Sequence, residues 1–251
     1  MIKIGLTGQS GFVGTHLYNR LNAMSEKYLT IPFEDSYFDD ELKLRSFVKQ
    51  CDVIVHLAAM MRSPLKGVVY NTNMRLVNQV IEAMDNEHVA PDIFFASSIQ
   101  ENNGSEYAQC KLDGKARFME WAEAHHSGFG CTVFPNLFGP QARPNSHLFI
   151  ATFCYKLTHG EEPQVLVDNT ISLKYIHSML NDMLPFMERV IEKKSIEQLE
   201  FDPDYKLKVT EVLAILSAFS TFEKTGKTIV LNTQAERDLF ETYSSYKNYS
   251  L

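Results

Sequence analysis

The chain has 251 residues, a formal net charge of -7 at pH 7 and a hydrophobic content of 45%. The acidic balance, with no basic run, argues against nucleic-acid binding, and no apolar stretch predicts a signal peptide or a membrane span. The four cysteines show neither metal spacing nor a disulfide framework, so we expect reduced, buried thiols and a cytoplasmic protein.

The first fourteen residues, MIKIGLTGQSGFVG, combine a short apolar strand with a glycine-rich turn, and helical periodicity follows. Glycines in such a turn allow a tight reversal, a close approach of the backbone to a pyrophosphate, and close helix–strand packing. The helix then directs its free N–H groups at the phosphates. An ordinary loop is the alternative, but the position between a strand and a helix favours dinucleotide binding. The predicted cofactor-binding residues of this turn are Gly8, Gln9, Ser10, Gly11, Phe12, Val13 and Gly14.

A second strand is predicted over residues 28–33, and two acids, Glu34 and Asp35, follow it. They lie about 20 residues beyond the last glycine, where an acid accepts hydrogen bonds from the adenine ribose. The acids also fit a solvated turn, because Asp39, Asp40 and Glu41 are close by in the sequence. No basic residue between positions 27 and 43 supplies a clamp for a 2′-phosphate, which favours NAD over NADP unless a basic residue comes from elsewhere.

The next segments predict a short helix over 42–50 and a buried strand over 51–57. We interpret His56, at the end of that strand, as structural rather than catalytic. The loop 60–64 follows at the carboxyl end of the strand, where open α/β sheets place ligands. This position makes Met61 and Arg62 candidate substrate-binding residues.

A long amphipathic helix around residues 66–86 precedes a buried strand over 92–98, which ends in two serines. Tyr107 and Lys111 then form a Y-x-x-x-K motif on a helix that continues to about residue 125, and their spacing places both on one face. We expect the Lys111 ammonium to lower the pKa of Tyr107, so that the tyrosine can donate a proton to a carbonyl oxygen. The motif alone is common, but its position after the two serines favours a catalytic role.

The glycine turn, the segment His56-Leu57-Ala58-Ala59 and the Y-x-x-x-K motif resemble the extended short-chain dehydrogenase/reductases, the NAD-dependent epimerase/dehydratase family. The resemblance implies an α/β fold with a doubly wound parallel (Rossmann) sheet and a small C-terminal substrate lobe. Residues 1–135 would form the dinucleotide-binding core, and residues 136–251 would mainly form the substrate-binding lobe, interleaved with the core.

The same resemblance implies roles for individual residues. The cofactor-binding residues would include Leu57, Ala58 and Ala59, which would pass beneath the cofactor, and Asn73, which would also tie its helix to the active-site strand. The catalytic set would be Ser98 as carbonyl-oxygen donor, Tyr107 as acid, and Lys111. Tyr107 and Lys111 would also bind the cofactor, with Lys111 at the ribose. Ser97 is expected to be buried.

Later segments resemble one subgroup, the capsular-polysaccharide UDP-sugar 4-ketoreductases of the UDP-N-acetyl-L-fucosamine pathway. The resemblance lies in residues 97–100, 135–139, 151–156 and the tail 238–246. It implies that Asn136 contacts the substrate diphosphate, although a proline-bounded loop is the alternative. Arg143 is a candidate diphosphate clamp, because a guanidinium matches phosphate oxygens bidentately, and Asn145 lies beside it before a predicted helix over 147–157.

Two departures from the family pattern are visible. Where the wider family often has an arginine, residues 173–177 read LKYIH, with Lys174 as a candidate substitute. Subgroup members typically continue into a cupin domain that epimerises C3, and the printed sequence ends where that domain would begin. We therefore expect a chain without a metal that leaves C3 untouched.

The resemblance implies reduction of the 4-keto group of a UDP-linked 2-acetamido-2,6-dideoxyhexosulose, with NAD or NADP as cofactor and NAD favoured. It also implies a homodimer through the helices around 66–86 and 105–125. The nearest alternative is a nucleotide-sugar 4-epimerase. A non-catalytic NAD(P)-binding sensor or regulator is the alternative from another class, and it has no need of a tuned tyrosine.

Overall fold

The computed structural model describes residues 1–146, 148–226 and 229–249. Its strands are β1 (Ile2–Thr7), β2 (Tyr28–Ile31), β3 (Val53–His56), β4 (Asp92–Ser98), β5 (Phe129–Phe134), β6 (Asn136–Phe138), β7 (Thr170–Tyr175), β8 (Ile196–Glu200) and β9 (Tyr205–Lys208). Its helices are α1 (Phe12–Asn22), α2 (Glu41–Val48), α3 (Val68–Glu87), α4 (Glu106–His125), α5 (Phe149–Thr158), α6 (Ile176–Lys193), α7 (Val209–Thr225) and α8 (Gln234–Ser244). A 3₁₀ turn, Asp35–Asp39, follows β2.

The chain forms two compact units, each of which is discontinuous in sequence. The first comprises Met1–Phe134 and Leu180–Glu200, and the second comprises Pro135–Met179 and the chain from Phe201 onward. The predicted assignment of cofactor binding to one part and substrate binding to the other stays a prediction.

The first unit contains a six-stranded sheet in the order β2-β1-β3-β4-β5-β8, and each neighbouring pair is parallel. The strand order changes direction between β1 and β3, because β2 lies on one side of β1 and the later strands on the other. This arrangement confirms the predicted doubly wound parallel α/β class. In open sheets of this kind ligands bind at the carboxyl ends of the strands that flank the change of direction.

Apolar side chains pack against both faces of this sheet. On one face, Ile54 and Phe95 belong to a buried cluster that includes Phe47 of α2, Val77 of α3 and Trp121 of α4. On the other face, the ring of Phe94 meets that of Phe186 in α6 edge to face, with centroids 6.1 Å apart. The strands are therefore covered on both sides, as their near-continuous apolar sequences predict.

The second unit contains a three-stranded sheet in which β7 pairs parallel with β6 and antiparallel with β9. Helices α5, α7 and α8 pack against one another in the same unit. The predicted helix over 147–157 corresponds to α5, and His147 lies outside the described residues. Among the helices that the structure describes, none is long and apolar enough to cross a membrane.

Candidate active site

The turn between β1 and α1 leaves no room for side chains at two of its glycines. Gly8 has a left-handed backbone with φ of 69°, and a Cβ there would lie 2.7 Å from the backbone nitrogen of Ala58. A Cβ on Gly14 would lie 2.2 Å from the carbonyl oxygen of Gly8. Both distances are shorter than real Cβ contacts, so each substitution would displace backbone. Close packing of the chain on itself therefore requires Gly8 and Gly14.

Gly11 is different, because it is extended and its Cβ would meet only the Gly8 carbonyl oxygen, at 3.2 Å. It is the N-cap residue of α1, whose first residues are Phe12 and Val13 and whose first turn carries no acid. The positive end of the helix is thus not neutralised by its own side chains. The Oε1 atom of Gln9 is buried and has no hydrogen-bond partner in the described part of the chain. These features fit the predicted pyrophosphate site.

A cavity of about 440 Å³ lies beside this turn within the first unit. Ser10 is at its edge and donates a hydrogen bond from its Oγ to Oδ2 of Asp35, at 2.9 Å. The residues that line the cavity are Gly8, Ser10, Gly11, Asp35, Phe38, Asp39, Leu57, Ala58, Ala59, Met60, Thr72, Arg75 and Leu76. The structure thus brings the predicted Leu57, Ala58 and Ala59 to the same cavity as the glycines.

The walls of the cavity are held by buried hydrogen bonds. Thr7 Oγ1 accepts from the backbone N–H of Ala58 at 3.3 Å and lies 3.0 Å from Nδ1 of His56. Burial, reinforced by the Lys111 ammonium, lowers the pKa of His56 to about 3. A neutral, fully enclosed imidazole agrees with our structural interpretation of His56.

Asn73 lies behind the cavity rather than on its surface. Its Oδ1 accepts from the backbone N–H of Met60 at 2.7 Å, and its Nδ2 donates to the Met60 carbonyl at 2.8 Å. The same Nδ2 is 3.1 Å from Sγ of Cys110, on the helix that carries Tyr107 and Lys111. Asn73 therefore joins α3, α4 and the loop after β3, whereas we predicted a tie to the active-site strand.

Tyr107 lies in the first turn of α4, and Lys111 lies one turn later on the same side. The Lys111 side chain is buried, and its Nζ donates to the carbonyl oxygen of Ala96 at 2.6 Å. The ammonium also lies 4.9 Å from the ring centroid of Phe95 and 5.5 Å from that of Tyr107. Lys111 thereby fastens the start of α4 to the carboxyl end of β4, where Ser98 is the last residue.

The expected effect of Lys111 on Tyr107 is wrong for this structure. Burial, with a smaller contribution from Cys110, raises the pKa of Tyr107 to about 12. One N–H of the Lys111 ammonium donates to the Ala96 carbonyl, and the ammonium lies 5.5 Å from the centroid of the tyrosine ring. Burial also lowers the pKa of Lys111 to about 8, since a charged ammonium is costly in an apolar site. Tyr107 is consequently a protonated phenol near neutral pH.

The two serines at the end of β4 have different surroundings. Ser97 is buried and donates to the carboxylate of Glu101. Ser98 is half-buried, and its Oγ accepts from the backbone N–H of Gln100 at 3.2 Å. A hydroxyl that accepts one bond keeps its own proton for donation. The prediction that Ser97 is buried is confirmed, and Ser98 has the properties of a donor.

Two candidate substrate-binding residues lie in the first unit, in the loop after β3. Met61 is half-buried and Arg62 is exposed. The loop is held at both ends, because Met60 is bound by Asn73 and the N–H of Gly67 donates to Oε1 of Glu106 at 2.7 Å.

The remaining candidates lie in the second unit. Asn136 is half-buried in β6, where its Nδ2 donates to the carbonyl of Ser172 at 3.2 Å. Arg143 and Asn145 are exposed, and the N–H of Asn145 donates to Oγ1 of Thr152 at 3.0 Å. The two side chains thus lie on one short surface loop.

Lys174 is buried and forms an ion pair with Oδ1 of Asp204 at 3.0 Å. The same carboxylate accepts from the N–H of Tyr175 and from the hydroxyl of Ser178, each at 2.8 Å. This network places Lys174 in the structural support of β7, so a substrate role as substitute for the family arginine has no support here.

The cysteines agree with the prediction of reduced, inert thiols. All four are free and buried. Burial raises the pKa of Cys51 to about 12 and that of Cys131 to about 11, and it also raises the pKa of Cys154. A thiol with a raised pKa carries little of the reactive thiolate.

Several cavity residues escaped the sequence analysis. Thr72, Arg75 and Leu76 lie on one side of α3 and reach the cavity, as does Phe38 from the 3₁₀ turn. The helical periodicity of α3 predicts its apolar face, which includes Leu76, but does not by itself indicate a role for Thr72 and Arg75. The i, i+3, i+4 spacing of 72, 75 and 76 is the signal that identifies a second functional face.

Comparison with known proteins agrees with this geometry. The model of the NAD dependent epimerase/dehydratase family matches residues 4–199. The chain is 27% identical to the UDP-2-acetamido-2,6-beta-L-arabino-hexul-4-ose reductase of Pseudomonas aeruginosa, over 98% of this chain and 65% of that protein. It therefore spans less than two thirds of the length of that relative.

Two solved structures are similar over nearly the whole chain. The capsular polysaccharide assembling protein CapF from Staphylococcus aureus has a TM-score of 0.78 and 29% identity, covering 99% of this chain and 67% of that one. RMD from Pseudomonas aeruginosa, complexed with NADPH, has a TM-score of 0.80 and 14% identity, covering 99% and 100%. At that identity the second likeness concerns the fold alone.

Proposed function

Since the chain belongs to the NAD dependent epimerase/dehydratase family, we propose that it reduces the 4-keto group of a nucleotide-linked hexosulose with NADH or NADPH. The substrate class that we favour is a UDP-linked 2-acetamido-2,6-dideoxyhexosulose, which accords with the name of the Pseudomonas aeruginosa relative. The main support for the proposal is the position of Tyr107 and Lys111 on one side of α4. Lys111 holds this part of α4 close to the carboxyl end of β4 through its hydrogen bond to the Ala96 carbonyl.

The first unit has residues that fit a dinucleotide. Gly11 and the N-terminus of α1 would hold the pyrophosphate, and Leu57, Ala58 and Ala59 would contact the dinucleotide along the cavity. The bound nicotinamide would supply the hydride that goes to the sugar C4. NADH is the cofactor that we favour, because two acids of the 3₁₀ turn line the cavity.

The protein residues would manage the proton. When the carbonyl carbon is reduced and its oxygen gains the C=O electron pair, Tyr107 would give that oxygen its phenol proton, and solvent would then restore the proton to Tyr107. Burial raises the pKa of Tyr107 to about 12, so the phenol carries its proton at neutral pH. Ser98 would donate a hydrogen bond to the same oxygen, and Lys111 would bind the nicotinamide ribose and stabilise the transient tyrosinate.

We assign Asn136, Arg143 and Asn145 to the diphosphate and neighbouring groups, and Met61 and Arg62 to the sugar. A guanidinium binds phosphate oxygens in a bidentate manner, so Arg143 is the main diphosphate ligand of the proposal. A homodimer through α3 and α4 and a cytoplasmic location complete the proposal.

The test is to incubate the protein with the UDP-linked 4-keto sugar and [4-²H]-labelled NADH, or with the labelled NADPH. The expected result is stoichiometric oxidation of the nicotinamide and a reduced sugar with deuterium at C4, measured by absorbance and NMR. Interconversion of C4 epimers without net nicotinamide consumption would establish the epimerase instead. Nucleotide binding with neither reaction would favour the sensor.

A further inference from the structure

The loop after β3 leads directly into α3, and this helix has no side-chain acceptor of its own at its start. Gly67 is the N-cap residue of α3, with a left-handed backbone at φ of 81° and no side chain that could accept a hydrogen bond. The first turn of α3 also contains no acid. A helix N-terminus is stabilised by an oxygen acceptor and a negative charge, because its first N–H groups have no partners within the helix and carry partial positive charge.

Glu106 supplies this acceptor and this charge from the neighbouring helix. Its Oε1 accepts a hydrogen bond from the N–H of Gly67 at 2.7 Å, and both residues are half-buried. Glu106 is the first residue of α4 and directly precedes Tyr107. The hydrogen bond therefore joins the end of the loop to the turn of α4 that carries the proposed proton donor.

The loop is thus held at two points that have different partners. At its start, both backbone groups of Met60 are bonded to the side chain of Asn73, and at its end the N–H of Gly67 is bonded to Glu106. The two residues that we assign to the sugar, 61–62, lie between these points. The cofactor-binding residues that follow β3 lie before the first point, so loss of the second should affect the sugar and spare the dinucleotide.

The start of α4 has its own support, which does not involve Glu106. Ser105 is the N-cap residue, and its Oγ accepts from the N–H of Ala108 at 3.1 Å. The N–H of Ser105 in turn donates to Oδ1 of Asn103 at 3.0 Å. Removal of the Glu106 carboxylate therefore leaves the cap of α4 in place, and the carboxylate serves the loop and α3.

We propose that Glu106 is a positioning residue that sets the distance between the sugar-binding loop and Tyr107, which deepens the proposed function and rests on it. Because the carboxylate caps α3 from α4, it holds residues 61–62 in a fixed position relative to the phenol. A sugar bound by the loop then presents its 4-keto oxygen to Tyr107. Rates depend steeply on such placement, since a displacement of about 1 Å can cost about 10²-fold.

Two substitutions of Glu106 test this role by steady-state kinetics and by calorimetric titration of NADH. Glu106→Ala removes the acceptor, so kcat should fall by about tenfold or more while the affinity for NADH stays within about twofold. Glu106→Gln keeps an Oε1 acceptor of the same reach and should restore kcat to within about threefold of the wild-type value. Tyr70→Phe is the matched control, because it removes another contact between α3 and α4, the bond to Asp113 at 2.8 Å, and should leave kcat unchanged.

Trypsin digestion measures the loop without sugar or nucleotide. Arg62 and Lys66 are exposed loop residues after which trypsin cleaves. In folded Glu106→Ala the loop should open more often, so cleavage at these two sites should be about tenfold faster than in the wild-type protein, in Glu106→Gln or in Tyr70→Phe. Unchanged cleavage in Glu106→Ala would overturn the proposal, because the hydrogen bond would then not hold the loop.

The kinetic outcomes separate this proposal from the proposed function. Normal turnover by the wild-type protein with unchanged kcat in Glu106→Ala contradicts the positioning role alone, as does an equal loss of kcat in Glu106→Gln or in Tyr70→Phe. Absence of sugar reduction by the wild-type protein contradicts the proposed function, and the positioning role with it.

Discussion

The buried candidates of the first unit and the loop candidates of the second differ in how firmly they are held. In the first unit, Lys111 and Asn73 are buried and bonded to the backbone at Ala96 and Met60. In the second, Arg143 and Asn145 are exposed on a loop. Rigid placement suits a reacting centre, where small displacements are costly, whereas an exposed arginine suits a charged substrate group. Substitutions in the first unit should thus change turnover and cofactor binding, and those in the loop should change KM.

The largest expected effect would come from Tyr107→Phe, which removes the proton donor and keeps the ring. Because general acid catalysis contributes about 10²–10⁴-fold, kcat should fall by at least about 10² while the nucleotide still binds. Tyr70→Phe is the matched control, since its hydroxyl donates to Asp113 and not to the proposed site. A near-normal kcat in Tyr107→Phe would contradict the assignment of Tyr107 as the proton donor.

Gly11→Val separates cofactor binding from folding. Its Cβ would meet only the Gly8 carbonyl oxygen, at 3.2 Å, but would enter the proposed pyrophosphate position, so nucleotide affinity should fall by about 10- to 100-fold while the protein still folds. Gly14→Val should instead lower Tm, because its side chain overlaps the Gly8 carbonyl. Calorimetric titration and thermal unfolding give the two readouts, and unchanged nucleotide affinity in folded Gly11→Val would show that the turn is only a loop.

Arg143→Ala tests the second unit. Loss of one hydrogen-bonded charge pair should raise KM for the nucleotide sugar about tenfold and leave kcat within about twofold. Arg237→Ala is the control, because Arg237 is an exposed arginine of the same unit that bonds to Gln234. Steady-state kinetics distinguish them; a loss of kcat with an unchanged KM would contradict a diphosphate role for the loop.

A smaller effect concerns pH and stability. The pKa of Lys111 is lowered from 10.5 to about 8, so the folded chain releases this proton at a lower pH than the unfolded chain. The free energy of unfolding, relative to Lys111→Met, should therefore rise from pH 8 to 10, by at most about 1.4 kcal/mol per pH unit. Denaturant unfolding at several pH values measures the difference. A difference in the free energy of unfolding that does not change with pH would mean that Lys111 is not desolvated in the folded chain.

The last prediction is that the protein causes no hydrogen exchange at C3 of the 4-keto sugar. Exchange at C3 of a 4-keto sugar needs a base, and Tyr107, with a pKa of about 12, is a protonated acid at neutral pH. Incubation of enzyme and 4-keto sugar in D₂O without nicotinamide should leave C3 unlabelled by NMR. Deuterium above the buffer control would reveal an epimerase base and contradict a chain that only reduces.

The sequence analysis succeeded where one local pattern determines an element. β4 begins and ends as predicted, because it is a buried apolar run. The sequence is less informative about the strands of the second unit, because β6, β7 and β9 are short and pair across long stretches of chain. The pKa direction predicted for Tyr107 is wrong, because the spacing to Lys111 fixes a shared face but does not reveal that the phenol is buried, which raises its pKa. The sequence also did not identify Arg75 as a cavity residue, because that role depends on the 3₁₀ turn, which lines the same cavity.

The three glycines of the turn differ in how much room the neighbouring backbone leaves for a side chain. They therefore differ in what they indicate about the function of a homologue. Gly8 and Gly14 are required by the neighbouring backbone, so selection for folding alone would retain them in a descendant that had stopped using nucleotides. At Gly11 a Cβ would meet only the Gly8 carbonyl oxygen, at 3.2 Å, so the neighbouring backbone is less restrictive there than at the other two glycines of the turn. A homologue that keeps the outer glycines but replaces the middle one would preserve the scaffold and not the nucleotide site, so the middle glycine is the informative position when function is assigned across this family.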